Sequence, residues 1–308
     1  MDAVPITGLT SVIVVAADSG AELKDCVNRV LTSSAPVELI ISDNASSDGS
    51  IETVVAGAAA DARLRIVRNG ANLGFAAGCN RGAAIARGDV LAFLNPDCRL
   101  EVDALARLRA IADSDPQIGV LGARIVGVDG AYEPASRRRD PLLRRALMTM
   151  TGLSRYAARL PALAGANLPE HAGAPAFEDV DAVSGALMLL PRAVFSRIGG
   201  FDEGYFLHCE DLDLCRRVRD AGARVVCANG LNVVHVKGTS GRSRPFLVAL
   251  SKHRGMWRWF RKFDPAASNP LTRALVWCGL WAHFVLLSPR YAWRWLETRI
   301  LKDRSPRA

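Results

Sequence analysis

Three largely apolar runs, each followed closely by a carboxylate, narrow what this chain can fold into more than any other feature. They are "TSVIVVAA" (10–17) ahead of Asp18, a run over 37–42 ahead of Asp43, and "VLAFL" (90–94) ahead of Asn95-Pro96-Asp97. Runs that are continuous and rich in β-branched residues predict strands buried on both faces. Helical spacing falls between them: Leu23, Cys26, Val27, Val30 and Leu31 within 21–33, then 50–60, then the small-residue stretch "GFAAGCNRGAAIA" at 74–86. A further short strand, "LRIVRN", spans 64–69. Strands alternating with helices imply a parallel sheet with right-handed crossovers. In such sheets ligands bind beyond the C-terminal strand ends, where Asp18, Asp43 and Asp97 stand. No G-x-G-x-x-G follows the first run, and no G-x-x-x-x-G-K-[ST] occurs. Dinucleotide and P-loop readings therefore lose their usual support.

Beyond residue 100 the pattern loosens. Residues 102–113 read as helix, and "IGVLGARIVG" (118–127) as a strand with a turn at Asp129-Gly130. Residues 131–178 are rich in Ala, Pro and Arg, with "RRR" at 137–139, and predict a long, partly mobile segment. Order returns with a strand near 181–190, a short helix opening at Pro191 and a turn at Gly199-Gly200. "CEDLDLCRRVRDAG" (209–222) follows as an amphipathic helix, and two short strands end at His235. No internal repeat is present.

The 308 residues suit two modest domains or one large α/β unit with an appendage, and half of them are apolar, enough for a sizeable core. Seven scattered cysteines without a C-x-x-C pair argue against a zinc ribbon or a disulfide framework and fit a reducing cytoplasm. The opening twenty residues lack a basic segment ahead of their short apolar run, and read as a first strand, not a signal peptide. The net charge of +8 is uneven: from Lys237 onward fifteen basic residues face three acids. Such a block suits nucleic acid, anionic lipid or a phosphorylated substrate.

Read singly, the polar motifs allow ordinary structural roles. "DNASSDGS" (43–50) is an Asx turn with Asp48 or Ser50 capping a helix. Glu210, Asp211 and Asp213 open a helix, where carboxylates suit the dipole; adjacent acids also raise each other's proton affinity, which suits a general base. A lone His235 on or just after an apolar strand is more often a satisfied core residue than a ligand.

Their order, however, resembles the inverting glycosyltransferases of family 2, which have the GT-A fold. The resemblance covers about residues 10–245. It is carried by "SVIVV" (11–15), "DNASSDGS" (43–50), "NLGFAAGCNRG" (72–82), "LNPD" (94–97), "VSGALMLLPRAVFSRIGGFDEGYF" (183–206), "EDLDLCRR" (210–217) and "HVKGTS" (235–240). Within the family the chain is similar to the rhamnosyltransferase-like branch, in which Asn-Pro-Asp replaces a fully acidic D-x-D. The resemblance implies an α/β GT-A domain over 1–245, with a nucleotide-binding half (1–100) and an acceptor-binding half (101–245). It implies Mg²⁺ or Mn²⁺ held by Asp97, with His235 as a further ligand and Asn95 orienting Asp97 or a metal-bound water. A hard, oxygen-rich diphosphate calls for such an ion.

By the same resemblance Asp43 accepts from the pyrimidine imide, and Ala16 and Asp18 line the base pocket. Asn72, Gly74 and Asn80 match the sugar-nucleotide loop, with tight helix packing as the other reading of the glycine. Asp211 is implied as the catalytic base with Glu210 as helper, Asp213 being structural. Gly185 and Ala186 match the small residues beside the acceptor. Where relatives have Asn-Tyr-Asn, this chain has Ala16-Ala17-Asp18, which removes an aromatic wall for the base. The implied partners are a dTDP- or UDP-sugar donor, best dTDP-rhamnose, and a saccharide or lipid-linked acceptor.

Residues 246–308 read as a basic, Trp-rich helical extension. "ALVWCGLWAHFVLL" (274–287) is a 14-residue apolar run, shorter than the roughly 20 residues of a spanning helix. Its basic and Trp-rich flanks predict a helix lying in the interface of an anionic membrane, on the cytoplasmic face of the inner membrane. The other reading is a helical pair docked on the catalytic domain or on a second subunit of a homodimer. No recognition motif supports nucleic-acid binding.

Overall fold

A computed structural model describes residues 4–58, 60–170, 173–236 and 244–304. The three founding apolar runs are strands: β1 (Ile6–Ala16), β2 (Val37–Asp43) and β4 (Gly88–Leu94), with β3 (Leu64–Arg68) at the edge. Helices α1 (Gly20–Leu31), α2 (Ser50–Ala58) and α3 (Phe75–Ile85) make the crossovers. Further along lie β5 (Cys98–Arg99), α4 (Ala104–Ser114), β6 (Ile118–Val126), β7 (Arg137–Arg138), α5 (Leu143–Met150), β8 (Phe177–Asp179), β9 (Ala182–Val183) and β10 (Leu187–Pro191). Helices α6 (Arg192–Arg197) and α7 (Glu210–Asp220), strand β11 (Arg224–His235), and helices α8 (Pro245–Phe263) and α9 (Pro270–Arg304) complete the chain.

The central sheet runs β3-β2-β1-β4-β10-β6-β11-β5, with β8 beside β11. Its β3-β2-β1-β4 half is parallel, while β10 enters antiparallel between β4 and β6. That insertion carries Leu187–Pro191 into the middle of the sheet and sets Leu187 opposite Leu94, so that the residues before it lie beside Asn95 and Asp97. Two apolar cores cover the faces. One packs α1 and α4 against β1, β2, β4 and β6; the other packs α3, α6 and α7 on the opposite face.

Two sequence expectations need correction. The two short strands before His235 are one strand, because a register shift between Ala228 and Asn232 absorbs the irregularity without ending the pairing to β6. Residues 131–178 are not featureless. Within them β7 pairs antiparallel with β9 and α5 forms a two-turn helix. The chemical reason is that Arg137 and Arg138 find partners elsewhere in the chain: Arg137 donates to Glu178 and to the Pro169 carbonyl, and Arg138 donates to the Val183 carbonyl at 2.6 Å.

The extension divides in two. Helix α8 belongs to the globule: Trp259 is fully buried among α7 and sheet residues, and Lys262 reaches the buried Asp213 at 2.6 Å. Helix α9 packs on α8 and exposes Leu271, Leu275, Trp277, Val285 and Leu286. The apolar run expected to fall short of a span is part of a longer helix. Arg273 and Ser288 bound the run but not the helix. Its 270–293 stretch is, by length and composition, sufficient to cross a membrane, and none of its most apolar window is buried in the protein.

Candidate active site

At the C-terminal strand ends the parallel register sets Ala16 level with Asp43. The Asn44 amide donates to the Ala16 carbonyl at 2.8 Å and locks the two ends together. Asp43 is buried; its Oδ1 accepts the Ser46 amide at 2.8 Å, and Arg68 stands 3.4 Å from Oδ2. Asp18 takes a left-handed backbone (φ 54°) and accepts the Ser47 amide at 2.8 Å. Its other oxygen accepts from Arg244 at 2.9 Å, tying the β1 loop to the start of α8. Asp48 fastens the same loops by accepting from the Gly20 and Ser50 amides, the capping role read from the sequence.

A cleft of about 280 Å³ opens above these ends, lined in part by Ala17, Asn44, Asn72, Gly74, Asn95 and Asp97. Ala16, Asp18, Asp43 and Asn80 do not line it. Asn80 spends its amide on the 201–203 turn, donating to the Phe201 carbonyl and accepting from the Phe201 amide, both at 2.9 Å. Asn72 accepts the Gly74 amide at 3.0 Å. Gly74 has φ 86°, and a Cβ there would sit 2.4 Å from the Phe206 carbonyl oxygen, so only glycine lets the two backbones approach. The aromatic surface missing at position 17 comes from elsewhere: Phe75 and Phe206 line the cleft.

Asp97 and His235 meet because β5 pairs antiparallel with β11, setting His235 opposite Cys98. The Val236 amide donates to the Asp97 carbonyl at 2.9 Å and fixes the register. His235 Nε2 lies 3.2 Å from Asp97 Oδ1 and 3.5 Å from the Asn95 amide nitrogen, while Nδ1 lies 3.4 Å from Glu133. Burial opposes charge on this ring, yet hydrogen bonds to Asp97 and Glu133 push its pKa up to about 9. Asp97, Cys98 and His235 present donor atoms within 4.8 Å of one another. Cys98 is the poor member: burial, with Asp97 beside it, drives its thiol well above the ordinary range, and its sulfur points at the Ala186 carbonyl 3.5 Å away. A carboxylate and an imidazole oriented by Glu133 remain, a donor set that fits a hard divalent cation with open positions.

The acidic pair opens α7 after two consecutive left-handed residues, His208 (φ 69°) and Cys209 (φ 71°). Strain of this kind costs on the order of 1–3 kcal/mol per residue and clusters at working sites. Asp211 Oδ2 accepts the Gly185 amide at 3.0 Å and a hydrogen bond from Arg138. Burial alone would raise Asp211, but the charge and hydrogen bond of Arg138 hold its carboxyl low. Glu210 is the opposite case: burial and the Asp211 charge push it up, and its Oε2 has no hydrogen-bond partner among the described residues. Asp213 is fully buried between Arg217 and Lys262, as a structural acid should be. Gly185 and Ala186 stand one layer back. A Cβ on Gly185 would meet the Asp211 carboxylate at 3.4 Å, and the Ala186 carbonyl accepts the Asn95 amide at 3.0 Å.

Glu210 and Asp211 line a second cavity of about 530 Å³, walled by α5, α8 and α9. His208 lines both cavities, so they adjoin at its side chain. Sequence reasoning did not find Arg138, Glu133, Phe206 or His208. The "RRR" run was the available signal for the first.

A family model described as glycosyl transferase family 2 matches residues 11–164. The chain belongs to glycosyl transferase family 2. Among curated relatives of this family member, the N-acetylglucosaminyl-diphospho-decaprenol L-rhamnosyltransferase of Mycobacterium tuberculosis is 28% identical over 276 residues, covering 82% of this chain and 88% of that protein. The rhamnosyltransferase WbbL of Escherichia coli is 41% identical over 64 residues, 21% of this chain and 24% of that one. The mannosyltransferase of Pyrobaculum calidifontis, solved with GDP-mannose and Mn²⁺, superposes with a TM-score of 0.58 at 16% identity over 96% of this chain and 81% of that one. GalNAc-T7, solved with UDP, GalNAc and Mn²⁺, gives 0.57 at 17% identity over 75% of this chain, which spans 44% of that longer protein. The fold of this family 2 member is GT-A.

Proposed function

We propose that this glycosyltransferase inverts the anomeric centre of a nucleotide-activated hexose, best L-rhamnose from dTDP-rhamnose, as it passes the sugar to a hydroxyl of a saccharide acceptor. The product would belong to a surface polysaccharide or its lipid-linked precursor. One observation carries the reading: Asp97, with His235 3.2 Å behind it, lines one cavity, the Glu210–Asp211 pair lines a second, and His208 lines both. A donor in one and an acceptor in the other bring reacting groups together without a covalent intermediate.

In this reading Asp97 and His235 hold Mg²⁺ or Mn²⁺. The ion would supply Lewis-acid neutralisation of the departing diphosphate. Asn95 orients the pair through His235. Asn44, Asn72 and the Gly74 backbone shape the nucleotide cleft, Phe75 and Phe206 offer the base its apolar contact, and Asp43 and Asp18 fix the loops beneath. Asp211 takes the acceptor hydroxyl proton. Its carboxylate is ionised at neutral pH because Arg138 pairs with it, and Gly185 keeps it in place. Glu210, high in pKa, holds a proton beside it and keeps a second negative charge away from the acceptor. The apolar, exposed α9 and the basic residues around it suit attachment at the cytoplasmic face of the membrane.

Thermal-shift binding of UDP, dTDP, GDP and CMP, each with and without Mn²⁺, tests the donor half. A shift with dTDP that needs Mn²⁺ and is lost in Asp97→Ala supports the reading. A shift confined to UDP moves the donor to a UDP-sugar. No shift with any nucleotide, together with no donor hydrolysis, replaces it with a non-catalytic relative.

A further inference from the structure

The backbone between Phe206 and Cys209 is gripped twice, and each grip depends on a glycine. Gly74, just ahead of α3, admits the Phe206 carbonyl, and the Phe75 amide donates to that oxygen at 2.8 Å. Gly255 of α8 does the same two residues on. A Cβ there would lie 2.7 Å from the His208 carbonyl oxygen and 3.3 Å from the Cys209 Cβ. The Cys209 carbonyl in turn accepts the Asp213 amide at 3.0 Å, in the first turn of α7. The left-handed backbone of His208 (φ 69°) persists because this packing over-determines it.

On that fixed backbone stands the one residue, among those described, that lines both cavities. Asp97 lines the first, and Glu210 and Asp211 line the second. A carbon that leaves a diphosphate in the first for a hydroxyl in the second must pass His208. Neither nitrogen of its ring has a hydrogen-bond partner among the described residues, whereas a histidine that serves only the core is normally satisfied. Burial holds its pKa below the ordinary value; Lys252 and Arg138 act in the same direction, and Asp211 acts against them. Near neutral pH the ring is therefore uncharged, with one N–H to give and one lone pair to accept with. A sugar hydroxyl offers the same two groups in return. An uncharged ring also puts no positive charge beside a carbon that grows electron-poor as its diphosphate departs.

We propose that His208 hydrogen-bonds a hydroxyl of the transferred hexose and holds the sugar at the opening between the two cavities. There the bond from the anomeric carbon to the diphosphate oxygen breaks, and the bond to the acceptor oxygen forms. The acceptor proton goes to Asp211; His208 neither gains nor loses one. This rests on the donor and acceptor reading given above and adds the side chain that touches the sugar itself.

The test uses the full chain with Mn²⁺, dTDP-rhamnose and UDP-glucose as donors, and water as the acceptor. Donor hydrolysis gives kcat/KM, and thermal shift gives the affinity for free dTDP and UDP. His208→Phe keeps a ring of similar size without the nitrogens. For the donor that the wild type hydrolyses, kcat/KM should fall about 10- to 100-fold in that variant, with free-nucleotide affinity within about twofold. His208→Gln, whose amide both gives and accepts, should recover at least about fivefold over Phe. Should the Phe variant fail to fold, His208→Ala with and without added imidazole gives the same answer, a rise of about fivefold or more being expected from the imidazole. Wild-type hydrolysis in His208→Phe overturns the proposal. So does an equal fall in free-nucleotide affinity, which would mean that the residue only shapes the turn, and so does a Gln or imidazole-treated Ala variant that recovers nothing. These outcomes strike the His208 contact alone. A wild type that binds no nucleotide and hydrolyses no donor overturns the donor reading, and the contact with it.

Discussion

Arg138, from a segment that carries no clear sequence pattern, pairs with Asp211, the carboxylate that opens α7. The pair links two stretches 73 residues apart and brings a permanent charge to a buried acid. Without that charge, burial would push Asp211 up, as burial pushes Glu210. Arg138→Gln should therefore move the acidic limb of the pH–rate profile toward higher pH, because Asp211, as the proposed base, then needs a higher pH to lose its proton. Turnover at pH 7 should fall about 10- to 100-fold, and Arg138→Lys should keep most of the limb in place. A profile that does not move would separate Arg138 from the base.

Asp211→Asn tests the base directly. The amide keeps the shape and can still accept from Gly185, but it takes no proton. Transfer should drop by about 10²- to 10⁴-fold, while nucleotide affinity, read by thermal shift, stays within about twofold because Asp211 does not line the nucleotide cleft. If Glu210→Gln gives the larger loss, the roles of the two acids are reversed.

How much of this was legible in the sequence follows from the range of each interaction. Asp43 and Asp97 announced themselves because a continuous apolar run must end somewhere, and an acid at that end is a local fact. Glu210 and Asp211 were equally local. Arg138, Glu133 and Phe206 were not: each is placed only by contacts over long sequence separation, β7 with β9 for Arg138, His235 at the end of β11 for Glu133, and the Phe75 amide on the Phe206 carbonyl for Phe206. The same holds for the missing aromatic at Ala17, whose loss the sequence registered and whose replacement by Phe75 and Phe206 it did not. Ala16 and Asn80 were found by pattern, yet their polar groups serve loop closure rather than the cleft surface.

Asp97→Ala and His235→Ala should both weaken Mn²⁺-dependent nucleotide binding, and unequally. The carboxylate is the harder donor and carries the charge, so its loss should abolish the Mn²⁺ increment in thermal shift. Loss of the imidazole should cost about 10- to 100-fold in apparent metal affinity, the range seen when a supporting ligand environment is disturbed. Nucleotide binding without metal should change little in either variant. Equal Mn²⁺ increments in wild type and Asp97→Ala would remove Asp97 from the proposed metal site, and equal increments in His235→Ala would remove His235.

Gly74→Ala probes the approach of α3 to the 205–208 loop. The new methyl would meet the Phe206 carbonyl at 2.4 Å in a left-handed backbone. The loop must retreat, and with it Phe206 and the start of the strained His208–Cys209 turn. Nucleotide affinity should fall at least about tenfold, with a stability loss on the order of 1–3 kcal/mol in denaturant unfolding. A variant with wild-type affinity would show that the cleft does not depend on that approach.

Glu38 offers a check on the fold apart from the chemistry. It is the second residue of β2, buried, where an apolar residue would be expected. Ser11 donates to it at 2.6 Å, and the Arg87 backbone amide and guanidinium both donate as well, so that it joins β1, β2 and the start of β4. Burial would raise its pKa, but these donors prevail and hold it below its ordinary value. The sign follows: the charged form is favoured by folding, so its contribution is complete above about pH 4.5 and is lost as pH falls through the lowered native value. Glu38→Gln should cost about 2 kcal/mol in urea unfolding at pH 7. The gap between wild type and variant should narrow below pH 4.5 as Glu38 takes up its proton. A gap that stays constant down to pH 3 would mean that the carboxylate's charge contributes nothing and that only its shape is used.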